Sequence, residues 1–482
     1  MSRWRRHHVI VFPGIQKTDQ MRITLAVFPL LLSLSLLAQD TPGSDLDFML
    51  GKIRQAYAGY TDKVHPQQFD KLISQARQTS SADTFSTLSS ITGYFKDDHL
   101  ALFQVVTLTA KDSAEATANQ KNITTWTTGQ GHPKDAAEGY WLDDLNNCIL
   151  FLRKTAAAEW QGTIVETKDK APAGLATLRL KKEATGQYIA DYKDMDGGFR
   201  VITGARFKDP RVLVGGSYFK FRRIDHYVPG MLTGKIAFSY DPSVTQLDSQ
   251  TVLFRMPDFG GYNAKRYDSL VKANAAVLAR AKTLILDIRN NAGGSVRCFT
   301  PLLPYVCTSP VRQVFGYQLC SQALIDDATN DLKTYEKAND TVRAARTRGN
   351  LDTMRQNKDS FRLIGGTEFP CQPLPNGIQH VAVLMDHGSR SAAELMVLYF
   401  RQSKKVRLFG ENTAGAVDYL DLLTYWLPQS HFQFWVGTTK RRITPDQPLY
   451  DAHGIPPDTM ISEDQPDWID FIRKYYGNGG KP

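Results

Sequence analysis

Ser391, His99 and the paired glycines Gly293 and Gly294 are the residues whose types and surroundings suit acyl-transfer chemistry. Val381 to Met385 is an unbroken apolar run, β-branched at Val381 and Val383, which reads as a fully buried strand. Asp386, His387 and Gly388 break it, and Ser391 opens a helical pattern carried by Leu395, Leu398 and Tyr399. A serine at such a turn has its oxygen at the positive end of a helix, where a developing oxyanion is stabilised. The stretch Ser391-Ala392-Ala393-Glu394 is also a capping box, with Ser391 as N-cap and Glu394 three residues on. The backbone N–H groups of Gly293, Gly294 and Ala392 are candidates for an oxyanion hole. His99, flanked by Asp97 and Asp98, is the candidate general base, because an unperturbed imidazole titrates near neutrality, at about pKa 6.5. Taken singly, an NAGG loop is an ordinary tight turn and a lone histidine is ordinarily structural or exposed.

These residues need elements to hold them. Residues 44 to 96 read as helices: Leu46, Phe48, Leu50, Ile53, Tyr57 and Tyr60 make one amphipathic pattern, and two more follow Pro66 and precede Phe95. ALFQVV after His99 is strand-like. From about 138 to 225 short period-two runs recur about ten residues apart, split by Gly, Pro and Asp, the signature of a small all-β barrel or sandwich. No chemistry is visible in that region. From about 232 strands and helices alternate, which implies a layered α/β domain. There LILDIR (Leu284 to Arg289) is a buried strand running into Asn290-Asn291-Ala292-Gly293-Gly294, and Asp268 to Ala281 a helix. Residues 321–360 are highly charged and helical with few apolar anchors, so they are expected as an external cap or arm. The expected organisation is an extension and leader over 1–38, a helical segment carrying His99 over 39–100, a β-rich domain over 101–228 and a catalytic α/β domain over 229–482.

The chain has 482 residues, 42% hydrophobic and 22% charged, ordinary values for a globular protein of more than one domain. Its net charge is +9, of which +4 lies in the first 38 residues, and no long basic run suggests a nucleic-acid surface. Met21-Arg22 leads into LAVFPLLLSLSLLA, ending at Ala38, a positive-apolar-small pattern expected of a secretory leader and too short for a comfortable membrane span. An exported protein, periplasmic or extracellular, with no integral membrane domain after leader removal is the expectation; a single N-terminal anchor is the alternative. Five cysteines show no CxxC and no zinc-ligand spacing. Export permits disulfides, with Cys298–Cys307 and Cys320–Cys371 as possible pairs and buried free thiols as the alternative. There is no GxSxG elbow, HExxH or Walker loop, so neither metal nor cofactor is expected.

The order and wording of four stretches resemble the C-terminal processing peptidase and tricorn-core family of serine proteases. DIRNNAGGS at 287–295 looks like its oxyanion-loop motif, and GSRSAAE at 388–394 is similar to its nucleophile motif with Ser391 in the nucleophile position. GENTAGA at 410–416 and HGIPPD at 453–458 match its later landmarks, and Asp97-Asp98-His99 resembles the DxH element of the tricorn-like branch. The resemblance spans roughly 230 to 465 plus the segment around His99. It implies a crotonase/ClpP-like α/β fold, peptide or protein substrates, and a serine peptidase with Ser391 as nucleophile and His99 as base. Ala416 stands where the processing branch carries its base lysine, so a Ser–Lys dyad from that position is excluded. Asp98 replaces a serine, and Asp451 fills the position of a Glu, so Asp98 or Asp451 is the expected orienter of His99. The family's usual inserted PDZ domain is not evident, and the β-rich segment takes its place. The alternative is a non-catalytic peptide- or lipid-binding protein on the same scaffold, as in the family's retinoid-binding relatives. A third reading is a surface interaction protein built around the β-rich segment.

Overall fold

The computed structural model describes residues 44–480, apart from 80–83, 106–108, 129–134, 136, 146, 169–170, 194–197, 217, 234–238, 314–315, 366–367, 375–376, 442–447, 452, 463–464 and 466. The leader expected over 1–38 lies outside the described residues.

Four helices open the described chain: Asp45–Ala56, Tyr60–Lys63, Pro66–Gln78 and Phe85–Gly93. Ser44 caps the first by accepting the Asp47 N–H at 3.1 Å. Leu46, Met49, Leu50 and Ile53, at helical spacing, form its buried face. That face shares a core with Leu324, Ile325, Leu351 and Met354. These come from the helices Gln322–Lys337 and Thr341–Gln356, so the charged 321–360 segment is anchored by one apolar stripe. A disulfide joins Cys307 to Cys371, with Cα atoms 6.1 Å apart, around this segment. Neither pairing suggested by the sequence forms, because Cys298 and Cys320 are buried free thiols, as is Cys148.

The β-rich segment is a closed barrel of eight antiparallel strands in chain order: Gly139–Asp143, Cys148–Ala156, Glu159–Thr167, Ala176–Lys182, Tyr188–Lys193, Gly198–Asp209, Val212–Gly215 and Phe219–Ile224. The last strand returns to the first, with Tyr140 opposite Ile224, which removes the open edges. Trp141, Leu150, Ile164, Leu178 and Phe221 fill it. The segment from 101 is not purely β, because Ala110–Thr128 is a helix packed on the barrel. Its alanines and straight-chain polar residues favour helix without an apolar stripe to announce it. Leu100–Val105 ties the barrel to the C-terminal part of the chain: its start pairs with Gln433–Arg441 and its end with the barrel strand Gly198–Asp209.

The region after the barrel is organised by a second sheet, in the order Ser243–Gln246, Thr251–Arg255, Thr283–Asp287, His380–Met385, Val406–Gly410, Thr459–Met460. All neighbours after the first pair are parallel. Leu284, Leu286, Val381 and Val383 face a core that includes the helix Ala392–Phe400, while Ile285, Ala382 and Leu384 face the C-terminal helix Trp468–Gly477. Burial on both faces explains the unbroken apolar runs. The helix expected over Asp268–Ala281 is two, Ala264–Ala273 and Ala275–Arg280. Asn274 breaks it by donating its side-chain amide to the Leu270 carbonyl at 2.9 Å. Among the described residues no helix is long and apolar enough to cross a membrane.

Candidate active site

The strand His380–Met385 ends in a turn that is held from several sides. Asp386 Oδ1 accepts the N–H groups of Gly388 at 3.0 Å and Ser389 at 3.1 Å, and also that of Asn290 at 2.9 Å. Ser389 Oγ donates to the Ile288 carbonyl at 2.8 Å, and the Arg390 N–H to the Asn291 carbonyl at 2.9 Å. The turn is thereby fastened to the Gly293–Gly294 loop. Ser391 follows at φ 56°, ψ −119°, a conformation that costs a side-chain-bearing residue energy and is kept only by its surroundings. It is the N-cap of Ala392–Phe400, so its hydroxyl stands at a helix N-terminus.

Glu394 is the fully buried residue that supports this geometry. Its carboxylate accepts the Ser391 N–H at 3.0 Å, the Gly415 and Ala416 N–H groups at 2.8 Å each, and the Thr413 hydroxyl at 2.5 Å. Burial pushes its carboxyl up to about 7, against these four donors, which favour the ionised form. Ala416, at the position where a base lysine was excluded, is buried and donates its N–H here. Lys405 is turned elsewhere, donating to the Tyr305 carbonyl at 3.0 Å.

Gly293 and Gly294 both have positive φ, 89° and 132°. A Cβ on Gly293 would lie 2.6 Å from Ser391 Cβ and 2.9 Å from Ala392 N, so this loop runs directly against the nucleophile turn. The three candidate oxyanion donors are not alike. The Gly293 N–H is taken by Asn291 Oδ1 at 2.8 Å, whereas those of Gly294 and Ala392 make no hydrogen bond among the described residues.

His99 is buried immediately before the strand Leu100–Val105. Its backbone N–H donates to Asp97 Oδ1 at 2.8 Å, and Asp97 Oδ2 accepts the Tyr57 hydroxyl at 2.6 Å. His99 Nδ1 is in hydrogen-bond contact with the Tyr419 carbonyl. A carbonyl only accepts, so Nδ1 carries the proton, and in the neutral ring Nε2 presents a lone pair. Asp98 reaches Arg390 at 3.7 Å, which brings the His99 loop beside the residue preceding Ser391. His99 and Ser391 make no hydrogen bond to each other in this structure. A cleft of about 470 Å³ lies alongside, lined among others by Lys96, Asp98, Arg200, Tyr218, Ala414 and Gly415.

Asp451 makes no hydrogen bond to His99. Its Oδ2 pairs with Lys63, its N–H donates to Asp418 Oδ2 at 2.7 Å, and its Oδ1 is buried without a partner. Burial first, and the Asp97 charge second, push its carboxyl up, with the Lys63 ammonium opposing. Asp98 lies 3.7 Å from Arg390, and the imidazole contacts the Tyr419 carbonyl, a main-chain group with no side-chain signature in sequence. Lys63 also lies 4.7 Å over the Tyr419 ring and donates to the Phe95 carbonyl at 2.9 Å. Nothing in its local sequence distinguishes it from a surface lysine.

One group of potential metal ligands exists among the described residues: Asp144, Asp386 and His387, with ligand atoms within 4.8 Å of one another. Asp386 Oδ1 is already engaged by the turn, and His387 Nε2 lies 3.6 Å from Asp144 Oδ2, a contact that is ionic only when the ring is protonated.

Residues 250–461 match the model of peptidase family S41. No curated protein matches the chain. Among solved structures, mature CPAF complexed with lactacystin is 12% identical over 86% of this chain and 92% of that one, with a TM-score of 0.44. The photosystem II D1 C-terminal processing protease is 12% identical over 87% and 92%, with a TM-score of 0.37. The tricorn protease is 11% identical over 86% of this chain and 34% of that one, with a TM-score of 0.34. The matching stretch, residues 250–461, holds Ser391, the Gly293–Gly294 loop and all but the first strand of the sheet that presents them, so this part of the chain is similar to peptidase family S41 and supports a serine peptidase.

Proposed function

We propose that this protein is an exported serine peptidase in which Ser391 attacks the scissile carbonyl and His99 Nε2 takes its proton. The observation that carries the reading is the nucleophile turn: Ser391, at positive φ on a helix N-terminus, is packed against Gly293 and flanked by the free N–H groups of Gly294 and Ala392. Those two donors would hold the oxyanion of the tetrahedral intermediate, with Gly293 shaping the wall. The neutral His99 tautomer set by Tyr419 suits a base, and the imidazolium formed on proton transfer would keep that contact. The acyl-enzyme on Ser391 would then be released by water activated at the same nitrogen. The cleft beside Asp98 and Gly415 is read as the peptide's approach. The parallel sheet that presents Ser391 at a helix start agrees with a crotonase-like catalytic domain. Export is supported by the leader-like pattern ending at Ala38 and by the Cys307–Cys371 disulfide, a bond that persists in oxidising compartments.

The absence of a hydrogen bond between His99 and Ser391 favours the second reading, a peptide- or lipid-binding protein on this scaffold. Labelling with a fluorophosphonate separates the two. Stoichiometric modification that maps to Ser391 and is lost in Ser391→Ala supports the peptidase. A protein that neither labels nor hydrolyses any peptide is the binding protein.

A further inference from the structure

The barrel showed no chemistry in its sequence, yet three of its loops and strands converge on the catalytic turns. Asp144, in the turn after its first strand, has Oδ2 at 3.6 Å from His387 Nε2. Tyr218, just before its last strand, lies beneath the Arg390 guanidinium at 5.3 Å. Lys220, on that last strand, forms a buried ion pair with Glu411, whose N–H donates to the Met385 carbonyl at 3.1 Å. His387 and Arg390 both belong to the turn between Met385 and Ser391.

We propose that Asp144 of the barrel is a positioning residue for the nucleophile, acting through His387; this rests on the peptidase reading of Ser391. The turn has an inner and an outer support. The inner is Asp386 Oδ1, which gathers three backbone N–H groups. The outer is the His387 ring, whose Nδ1 is buried and makes no hydrogen bond, leaving the Asp144 carboxylate as its polar contact. Asp144 is anchored in turn, its N–H donating to the Lys220 carbonyl at 3.1 Å. Burial pushes its carboxyl up, and Asp386 adds to that, while His387, Lys220 and Arg222 pull it down. The two groups are shielded, with side chains 15% and 16% exposed, so their contact holds the turn in a setting with little competing water. Ser391 sits four residues from His387 in a strained conformation, and a small shift of the turn moves its oxygen relative to the Gly294 and Ala392 donors. Misplacement of about 1 Å in such a site costs on the order of a hundredfold in rate.

The experiment compares Asp144→Asn, Asp144→Glu, His387→Gln and the double variant Asp144→Asn/His387→Gln in the full chain. Active sites are counted by fluorophosphonate titration, so a poorly folded fraction drops out. The expected result is a fall in kcat per titrated site of about tenfold in Asp144→Asn and in His387→Gln, with KM within about twofold. The double variant falls no further than either single, because both remove one contact, and Asp144→Glu recovers part of the rate. Asp191→Asn, a barrel acid whose charged neighbour is Arg179, stays at the wild-type rate. Unchanged kcat per site in Asp144→Asn, an effect confined to KM, or losses that multiply in the double variant would overturn the inference while leaving the peptidase intact. Wild-type protein that neither labels nor hydrolyses would remove both.

Discussion

Glu394 accepts the backbone N–H of Ser391 at 3.0 Å, and so the proposed nucleophile is steadied by a carboxylate three residues along its own helix. The same group holds Gly415, Ala416 and Thr413, and Thr413 Oγ1 accepts the Ile455 N–H at 2.7 Å. GSRSAAE, GENTAGA and HGIPPD, separate stretches in the sequence, are thus one hydrogen-bonded unit around a single buried side chain.

Ser391→Ala is expected to abolish turnover and change stability little. The hydroxyl is the proposed nucleophile, whereas the contact to Glu394 uses the main chain. Loss of an N-cap side chain costs about 1 kcal/mol. Melting and peptide hydrolysis measured on the same preparation check this; full turnover with a large loss of stability would leave Ser391 as a cap alone.

His99→Gln is expected to lower kcat by ~10² to 10⁴, the range for a lost general base. Asp451→Asn is expected to leave kcat within a few fold, because its carboxylate pairs with Lys63 while Tyr419 orients the imidazole. Its effect belongs in stability, where Lys63 loses its ionic partner. If Asp451→Asn matched His99→Gln in kcat, the orienting role would return to Asp451.

What was legible in the sequence was the part encoded by apolar periodicity and by short motifs. The run Val381–Met385 and the LILDIR strand are buried on both faces of one sheet, as their composition demanded. The period-two segments were recognisable as strands, but closure of the barrel depends on Tyr140 meeting Ile224 across 84 positions, which no local pattern records. The Ala110–Thr128 helix was invisible because it lacks an apolar stripe. At the site, side chains with unusual spacing stood out, while the Tyr419 carbonyl, the free Gly294 N–H and the Lys63–Asp451 pair arise from long-range packing.

Reduction of Cys307–Cys371 is expected to destabilise the protein by roughly 4 kcal/mol, the loop-closure figure for a span of this size. Denaturant unfolding with and without a strong reductant, and of Cys307→Ala/Cys371→Ala, measures it. Equal stability in all three would mean that the α-helical pair's packing against Leu46 and Ile53 suffices to hold the segment.

Gly293→Ala and Gly294→Ala are expected to fail differently. A methyl on Gly293, at φ 89°, meets Ser391 Cβ at 2.6 Å, the Arg390 carbonyl oxygen at 2.8 Å and Ala392 N at 2.9 Å, so the variant should lose some stability and its folded fraction should lose fluorophosphonate labelling because the Ser391 turn itself is displaced. A methyl on Gly294 meets the Phe259 carbonyl oxygen at 2.1 Å, which main chain cannot readily vacate, so this variant should lose stability by several kcal/mol as for other backbone conflicts at positive φ. Labelling at the wild-type rate in Gly293→Ala would separate that loop from the site.

The pH dependence of stability tests the state of Glu394. Burial raises its folded-state value to about 7, above the ordinary carboxyl range near 4.3. Between those values the folded protein holds a proton that the unfolded chain has released. Stability then falls as pH rises, because the folded state binds more protons. The contribution is fully present below about pH 4 and lost as pH passes through about 7, with a ceiling of a few kcal/mol. Glu394→Gln cannot titrate and lacks this slope. It carries a constant penalty instead: whichever way the amide is turned, its NH₂ faces two donors, Thr413 and Gly415 on one side or Ser391 and Ala416 on the other. Urea unfolding of both proteins at pH 5 and pH 8 separates slope from offset. The gap between wild type and Glu394→Gln is expected to narrow from pH 5 to pH 8. A gap that stays constant would mean that the four donors outweigh burial and Glu394 is ionised throughout, a fixed negative charge beside the oxyanion site that Gly294, Ala392 and the helix N-terminus must overcome.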